Sequence, residues 1–303
     1  MKYTRSIALF VVLALVVALV SSCGNAGGTG GGGSNVVVLG STSVQPFIEV
    51  LAAEYERDFS GSPVDVQGGG SSMGINTARD GIADIGMSSR SLRGEELELE
   101  YVTIALDGLA LIVHPDNPVS NLSLEQIRRI YMRYYTNWSQ LGGEDGAIHV
   151  VTREEGSGTR GAFEELVMNC PYDDCDGESC YDGTKFIHPR TIVLNTNGAI
   201  RQFVTGNRNA IGYISLGAVE IDGLPPVKGL SIDGNEPTAE NVFRFTETDG
   251  GEGYGLFRPF VFIIGDDPTP ETQAFVDFVL SPDGQEILVR HDLISILAEG
   301  AGE

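Results

Sequence analysis

Basic residues are scarce in this chain. Lys and Arg together number 19 against 42 Asp and Glu, a formal charge of −23. A body of that balance repels a phosphodiester backbone, which argues against nucleic acid as the partner. It does not exclude a small anion, because donors at contact distance outweigh a global field that salt screens within about 10 Å. Lysine is also missing where a nucleotide-cradling loop needs it, since no glycine-rich stretch leads into Gly-Lys-Ser/Thr. Long apolar runs are nearly absent. The longest covers residues 7–20, which is 14 residues and short of the roughly 20 that a membrane-crossing helix requires. No repeat of fixed period is visible, which excludes solenoids.

What stands around that apolar run gives it a meaning. Lys2 and Arg5 precede it and "LVSSC" follows, ending at Cys23. A positive start, an apolar core and small residues before a cysteine resemble an export signal over residues 1–22 with a lipoprotein processing box. Cys23 is then the expected lipid attachment, and an uncleaved anchor is the alternative. Residues 24–34, "GNAGGTGGGGS", form a flexible tether that ends near residue 35. Lys2 and Arg5 are the only charges in residues 1–22, so the body without them carries −25. The expected location is extracytoplasmic, tethered to the outer face of the cell membrane.

The other cysteines, Cys170, Cys175 and Cys180, lie in "CPYDDCDGESC". Outside the cell two of them can form a disulfide, leaving one over. Three thiols beside Asp173, Asp174, Asp176 and Glu178 also admit a metal reading, although the spacing matches no standard zinc pattern. The expectation is a stapled surface insert near residues 170–182, with no metal and no cofactor.

From residue 36 onward, strand-like and helix-like segments alternate. "NVVVLG", "PVDVQ", "ADIGMSS", "YVTIALDGLALIVH", "AIHVVT", "AIGYISLG" and "RPFVFIIG" read as strands. "VQPFIEVLAAEYERDF", "SSMGINTARDG", "SLEQIRRIYMRYY" with Ser123 as its cap, "TRGAFEELVMN" and "AIRQFVTGN" read as helices. The closing stretch predicts two helices broken at Ser281-Pro282, and residues 221–256 read as loop with short strands. The alternation implies an α/β fold of mainly parallel sheets flanked by helices.

Small polar residues gather at the strand ends. "GSTS" at 40–43, "GGGSS" at 68–72, the pair Ser88-Ser89, and "GSGT" at 156–159 each follow a strand, and three of them precede a helix. The first N–H groups of a helix have no internal partner and carry partial positive charge, so such junctions suit an anion. Each cluster alone is an ordinary cap. Together, and with Arg153 just before "GSGT", they point to one tetrahedral oxyanion gripped by a planar guanidinium fork. "GSSMG" at 70–74 also matches the G-x-S-x-G nucleophile elbow, which makes a serine hydrolase using Ser72 the alternative; it would need His114, His149, His188 or His291 as base.

The ordered set "GSTSVQPF", "GGGSSMGI", "ADIGMSSR", "TNWSQLGG", "REEGSGTRGAF" and "AIGYISLG" resembles the phosphate-binding proteins of ABC importers, periplasmic or lipid-anchored. That resemblance implies a two-lobed periplasmic-binding-protein-like fold with the ligand in the cleft. Lobe 1 would hold residues 36–108 and 258–303, and lobe 2 residues 109–257. It implies no enzymatic activity, a monomer, and a membrane permease as partner. Thr42, Ser43, Ser71, Ser89, Arg153, Ser157, Gly158 and Thr159 would bind phosphate, with Glu155 orienting Arg153. Where many members carry Ser-Asp after the third strand, this chain has Ser88-Ser89. Sulfate, molybdate and tungstate are the other oxyanions such a receptor could take.

Overall fold

The computed structural model describes residues 35–58, 63–168, 187–220, 223–248 and 251–297. The export signal, Cys23, the tether and the cysteine-rich insert lie outside the described residues.

The first strand, β1 (Val36–Gly40), is buried at nearly every position, as an apolar run covered on both faces should be. Helix α1 (Gln45–Asp58) follows it and turns Phe47, Ile48, Leu51, Ala52 and Tyr55 inward at helical spacing. Then come β2 (Val64–Gly68), α2 (Ser71–Arg79) and the fully buried β3 (Ile85–Ser88). The long strand β4 (Tyr101–Val113) leads into β5 (Asn121–Leu122) and α3 (Leu124–Tyr131). Ser123 caps α3 as expected, and Gln126 returns a bond to the Ser123 amide. Next are β6 (His149–Arg153), α4 (Gly158–Phe163), β7 (Ile192–Leu194), α5 (Asn197–Thr205) and β8 (Ala210–Ser215). The chain continues with β9 (Lys228–Gly229), β10 (Ser231–Ile232), α6 (Ala239–Glu247) and β11 (Phe257–Ile264). It closes with α7 (Pro270–Leu280) and α8 (Pro282–Val289), and Ser281 ends the one and caps the other.

Two expectations change. Residues 221–256 contain the short strands foreseen, but also α6. Ala239, Val242 and Phe243 pack this helix on the core at helical spacing, but only Val242 is fully buried, so the stripe is short. The helix after "GSGT" is α-helical only to Phe163 and then widens into a π turn, Glu164–Met168, which puts Val167 and Met168 into the core.

The main sheet runs β2-β1-β3-β11-β4-β8-β6-β7, with β9 also on β4, and β10 pairs β5 apart from it. β1 is parallel to β2 and β3, and β6 is parallel to β7 and β8. These two parallel blocks are joined through β11 and β4, which run antiparallel to their neighbours. β4 changes partner in its middle: up to Gly108 it pairs β11, and from Leu109 it pairs β8. The hydrophobic core divides at the same place. One cluster holds Val38, Ile48, Ile85, Ile104, Ala105, Phe260 and Phe275, and another holds Leu109 to Val113, Tyr131, Val151, Ile200 and Tyr213.

A buried ion pair lies at that division. Asp107 stands opposite Arg258 in the ladder, and Arg258 Nε and Nη2 both reach Asp107 Oδ2, at 3.1 and 2.9 Å. Ser215 at the end of β8 donates to Asp107 Oδ1 at 2.8 Å. The three side chains thus tie β4, β11 and β8 together with 2 % exposure or less. Burial pushes the Asp107 carboxyl up, while Arg258, Ser215 and the Gly217 amide pull the other way. Removing one partner of such a pair strands a buried charge, so Asp107→Ala is expected to lower unfolding stability in urea by about 3–5 kcal/mol. Replacing both, Asp107→Leu with Arg258→Met, should cost less than the single change; an equal or larger loss would contradict this role.

Candidate functional site

The carboxyl ends of β1, β2, β3 and β6 meet where the two parallel blocks face each other, the place where open α/β sheets present their loops. Backbone bonds fix the convergence. Gly69 and Gly70 N–H both donate to Gly40 O, at 2.6 and 2.9 Å, and Ser41 N–H donates to Met87 O at 3.0 Å. The loops after β1, β2 and β3 are therefore one connected surface before any side chain is considered.

Arg153, the last residue of β6, is the centre of the site and is 1 % exposed. Its Nε and Nη2 donate to Glu154 Oε2 and Oε1, both at 2.9 Å. Nη1 donates to Asn197 Oδ1 at 3.1 Å, and Nη2 to Asn195 O at 3.0 Å. Nη2 also reaches Thr42 Oγ1 at 3.0 Å, on the loop after β1 and so on the opposite block. The fork's plane and position are thus set from both sides.

Around it lies a set of buried hydroxyls. Ser43 Oγ and Thr159 Oγ1 are 2.7 Å apart, again across the two blocks, and Asn197 Nδ2 donates to Ser43 Oγ at 3.0 Å. Ser41 Oγ accepts from Ser43 N–H and donates to Ser89 Oγ at 2.8 Å. Ser71 Oγ accepts from Ser89 N–H at 3.0 Å and lies 3.3 Å from Ser89 Oγ. Ser71 and Ser89 are fully buried, and Ser41, Ser43 and Thr159 nearly so. Each hydroxyl carries one rotatable proton, so the set can supply donors to an anion.

Close approach requires glycine at one position. A Cβ on Gly158 would stand 2.2 Å from Ser71 Oγ and 2.6 Å from Ser89 Oγ. Gly156 O accepts from Ser72 N–H at 3.1 Å, so backbone also bridges the blocks. Helix α4 is held from behind: Phe163 stacks on Tyr213 at 4.2 Å and 5°. The Tyr213 hydroxyl sits against Thr152 Oγ1 at 2.6 Å and Arg153 N at 3.4 Å. Burial pushes this phenol up to about 12, so it stays neutral beside Arg153.

All the residues singled out from the sequence gather here except one. Thr42, Ser43, Ser71, Ser89, Arg153, Gly158 and Thr159 share the contacts above, and Ser157 caps α4 through Arg160 N–H at 3.3 Å. The exception is Glu155, expected to orient Arg153. It is exposed, and Glu154 holds the fork instead. Glu154 O accepts the Ser157 amide, so the chain turns immediately after β6 and only the first of the two glutamates faces Arg153. Ser41, Asn195 and Asn197 were not foreseen. Ser41 sits inside the first cluster, but the asparagines carry no local signal beyond the helix cap at Thr196.

The histidines that a hydrolase would need have other partners. Asp116 N–H and Arg190 N–H donate to Nδ1 of His114 and His188, while His149 Nδ1 pairs with Asn207 and His291 packs edge-on to Phe47. None of these contacts involves Ser72. What the site can do is bind: it offers one guanidinium, several hydroxyls and backbone N–H groups, and its one hydrogen-bonded carboxylate among the described residues, Glu154, is committed to Arg153.

Comparison with known proteins agrees with this geometry. A family model for the PBP superfamily domain matches residues 25–283. A Clostridium perfringens protein described as a phosphate ABC transporter substrate-binding protein, solved with bound phosphate, is 38 % identical with a TM-score of 0.76, over 87 % of this chain and 100 % of that one. An ABC-type phosphate transport receptor from Vibrio cholerae is 36 % identical with a TM-score of 0.66, over 86 % of this chain and 100 % of that one. The phosphate-binding protein PstS of Bacillus subtilis is 26 % identical over 302 residues, 94 % of this chain and 92 % of that protein. With its two cores, its crossing strands β4 and β11 and its oxyanion-suited loops, the chain belongs to the PBP superfamily and, within it, to the substrate-binding proteins of phosphate ABC transporters.

Proposed function

We propose that this chain captures inorganic phosphate outside the cytoplasm and delivers it to the membrane permease of an ABC importer. The observation that carries the reading is Arg153, a buried guanidinium whose contacts come from both blocks and whose neighbours are hydroxyl donors. The blocks correspond to a lobe of residues 36–108 and 258–303 and a lobe of residues 109–257, each with its own core. An oxyanion held by Arg153, Ser157, Gly158 and Thr159 from one lobe and by Thr42, Ser43, Ser71 and Ser89 from the other favours the closed arrangement by differential contact. The protein binds and releases without chemistry, and a single chain supplies the whole cleft. Residues 23–35 tether it to the membrane through lipid on Cys23.

Ser89 supports keeping a second ligand in view. A buried carboxylate can accept the proton of hydrogen phosphate, whereas Ser89 already receives the Ser41 hydroxyl proton and has its own to donate. A donor-rich site accepts sulfate with less penalty than an acceptor-bearing one.

Calorimetry of the leaderless protein, stripped of bound ligand, against phosphate, sulfate, molybdate and tungstate tests both readings. Phosphate is expected to bind tightest, with sulfate a measurable competitor. Arg153→Ala removes one partner of a buried charged contact, a loss of about 2–5 kcal/mol or roughly 30- to several-thousand-fold in affinity. Ser71→Ala should lose less, about 1.5–3 kcal/mol. Retention of phosphate affinity within about threefold in Arg153→Ala would mean the anion lies elsewhere.

For the anchor, Cys23→Ser is expected to release the protein from membranes into the soluble fraction. Retention with the apolar leader still attached by mass would establish an uncleaved anchor instead.

A further inference from the structure

Ser89 is followed by an arm that contacts the other lobe without belonging to the anion site. Arg90 is 9 % exposed, and its Nη1 and Nη2 clamp Glu96 at 2.7 and 2.8 Å. Nη1 also donates to Ser91 O at 2.9 Å, and Glu96 Oε2 accepts the Arg93 N–H at 2.9 Å. Residues 90–96 are thus closed into a ring by one carboxylate, which the Arg90 fork holds below the usual carboxylate range. A ring of this kind projects the Arg93 side chain from a fixed base.

From that base Arg93 Nη2 crosses to the second lobe. It donates to Gly161 O at 3.1 Å and to Glu165 Oε2 at 2.8 Å. Gly161 lies on α4, the segment whose other end brings Gly158 against Ser71 and Ser89 and Thr159 against Ser43. Glycine eases the approach there: a Cβ on Gly161 would stand 3.1 Å from Arg90 Cδ, a tight contact, and 3.6 Å from Arg93 Nη2, an ordinary one. One short helix is therefore held against the first lobe at both ends, by the anion-site hydroxyls inside and by Arg93 outside.

We propose that Arg93 is a positioning residue for anion binding, a clasp that fastens α4 to the first lobe and slows the escape of the bound anion. The inference rests on the oxyanion-receptor reading above. Arg93 makes none of the anion-site contacts above, and its contacts to Gly161 and Glu165 join the two lobes. Its removal therefore acts on opening, and so on dissociation, more than on encounter. The Arg93–Glu165 pair is half exposed, so its share is screened by salt.

The test is stopped-flow measurement of inorganic phosphate association and dissociation for the wild type, Arg93→Ala, Glu165→Ala and the double variant, at low and high sodium chloride. Arg93→Ala is expected to dissociate about 3- to 10-fold faster, the range for a partly exposed charged contact plus one hydrogen bond, with association within about twofold. The double variant should be no faster than Arg93→Ala alone, and added salt should speed the wild type toward the variant. Arg93→Lys should recover part of the loss, which a fold defect would not allow. Unchanged dissociation in Arg93→Ala, or full additivity with Glu165→Ala, overturns the clasp while leaving the receptor intact. Failure of the wild type to bind phosphate overturns the receptor reading and the clasp with it.

Discussion

A guanidinium only 1 % exposed at the end of β6 sets the terms for the rest of this molecule. Placing a full charge in a protein interior costs several kcal/mol unless every donor is met. Arg153 has a partner at each of its three nitrogens, drawn from Glu154, Asn195, Asn197 and Thr42, and the last of these belongs to the opposite half of the protein. The charge is local in a chain of formal charge −23. Such a protein cannot draw an anion by its overall field, so recognition must act at contact range, where the dielectric is low and donors are fixed. The scarcity of basic residues and the burial of Arg153 among hydroxyl donors are two sides of one design.

The same constraint explains the architecture. Donors must come from several strand ends at once, and parallel strands with following helices bring their carboxyl ends to one edge. Two such blocks are joined by β4 and β11, with Asp107, Arg258 and Ser215 pinning the crossing. Hydroxyls from one block then face hydroxyls and Arg153 from the other, and Gly158 removes the side chain that would keep them apart. On the proposed reading, closure of the blocks and completion of the site are the same event. The Arg93 contacts extend that logic to the rim of the cleft.

Much of this was legible in the sequence because the signals are local. Strands and helices alternate with clear periods, Ser123 and Ser281 announce helix starts, and the small polar clusters fall where strands end. The features that escaped depend on residues far apart or on fine backbone direction. Asp107 and Arg258 are 151 positions apart and look ordinary in isolation. Asn197 meets Ser43 across 154 positions. Helix α6 is short, and its stripe of Ala239, Val242 and Phe243 spans little more than one turn. Whether Glu154 or Glu155 faces Arg153 is decided by the turn after β6, which composition does not reveal. The family resemblance supplied the ligand class, and the geometry supplied the reason this chain suits it.

The account stands on a single location for the anion, between the two blocks and on Arg153. A crystal structure of the stripped protein grown with phosphate tests this most directly. The account predicts tetrahedral density within hydrogen-bond reach of Arg153 and Thr159 on one side and of Thr42 or Ser71 on the other. Phosphate density held by one block alone, or none at Arg153 while phosphate binds elsewhere, would contradict it.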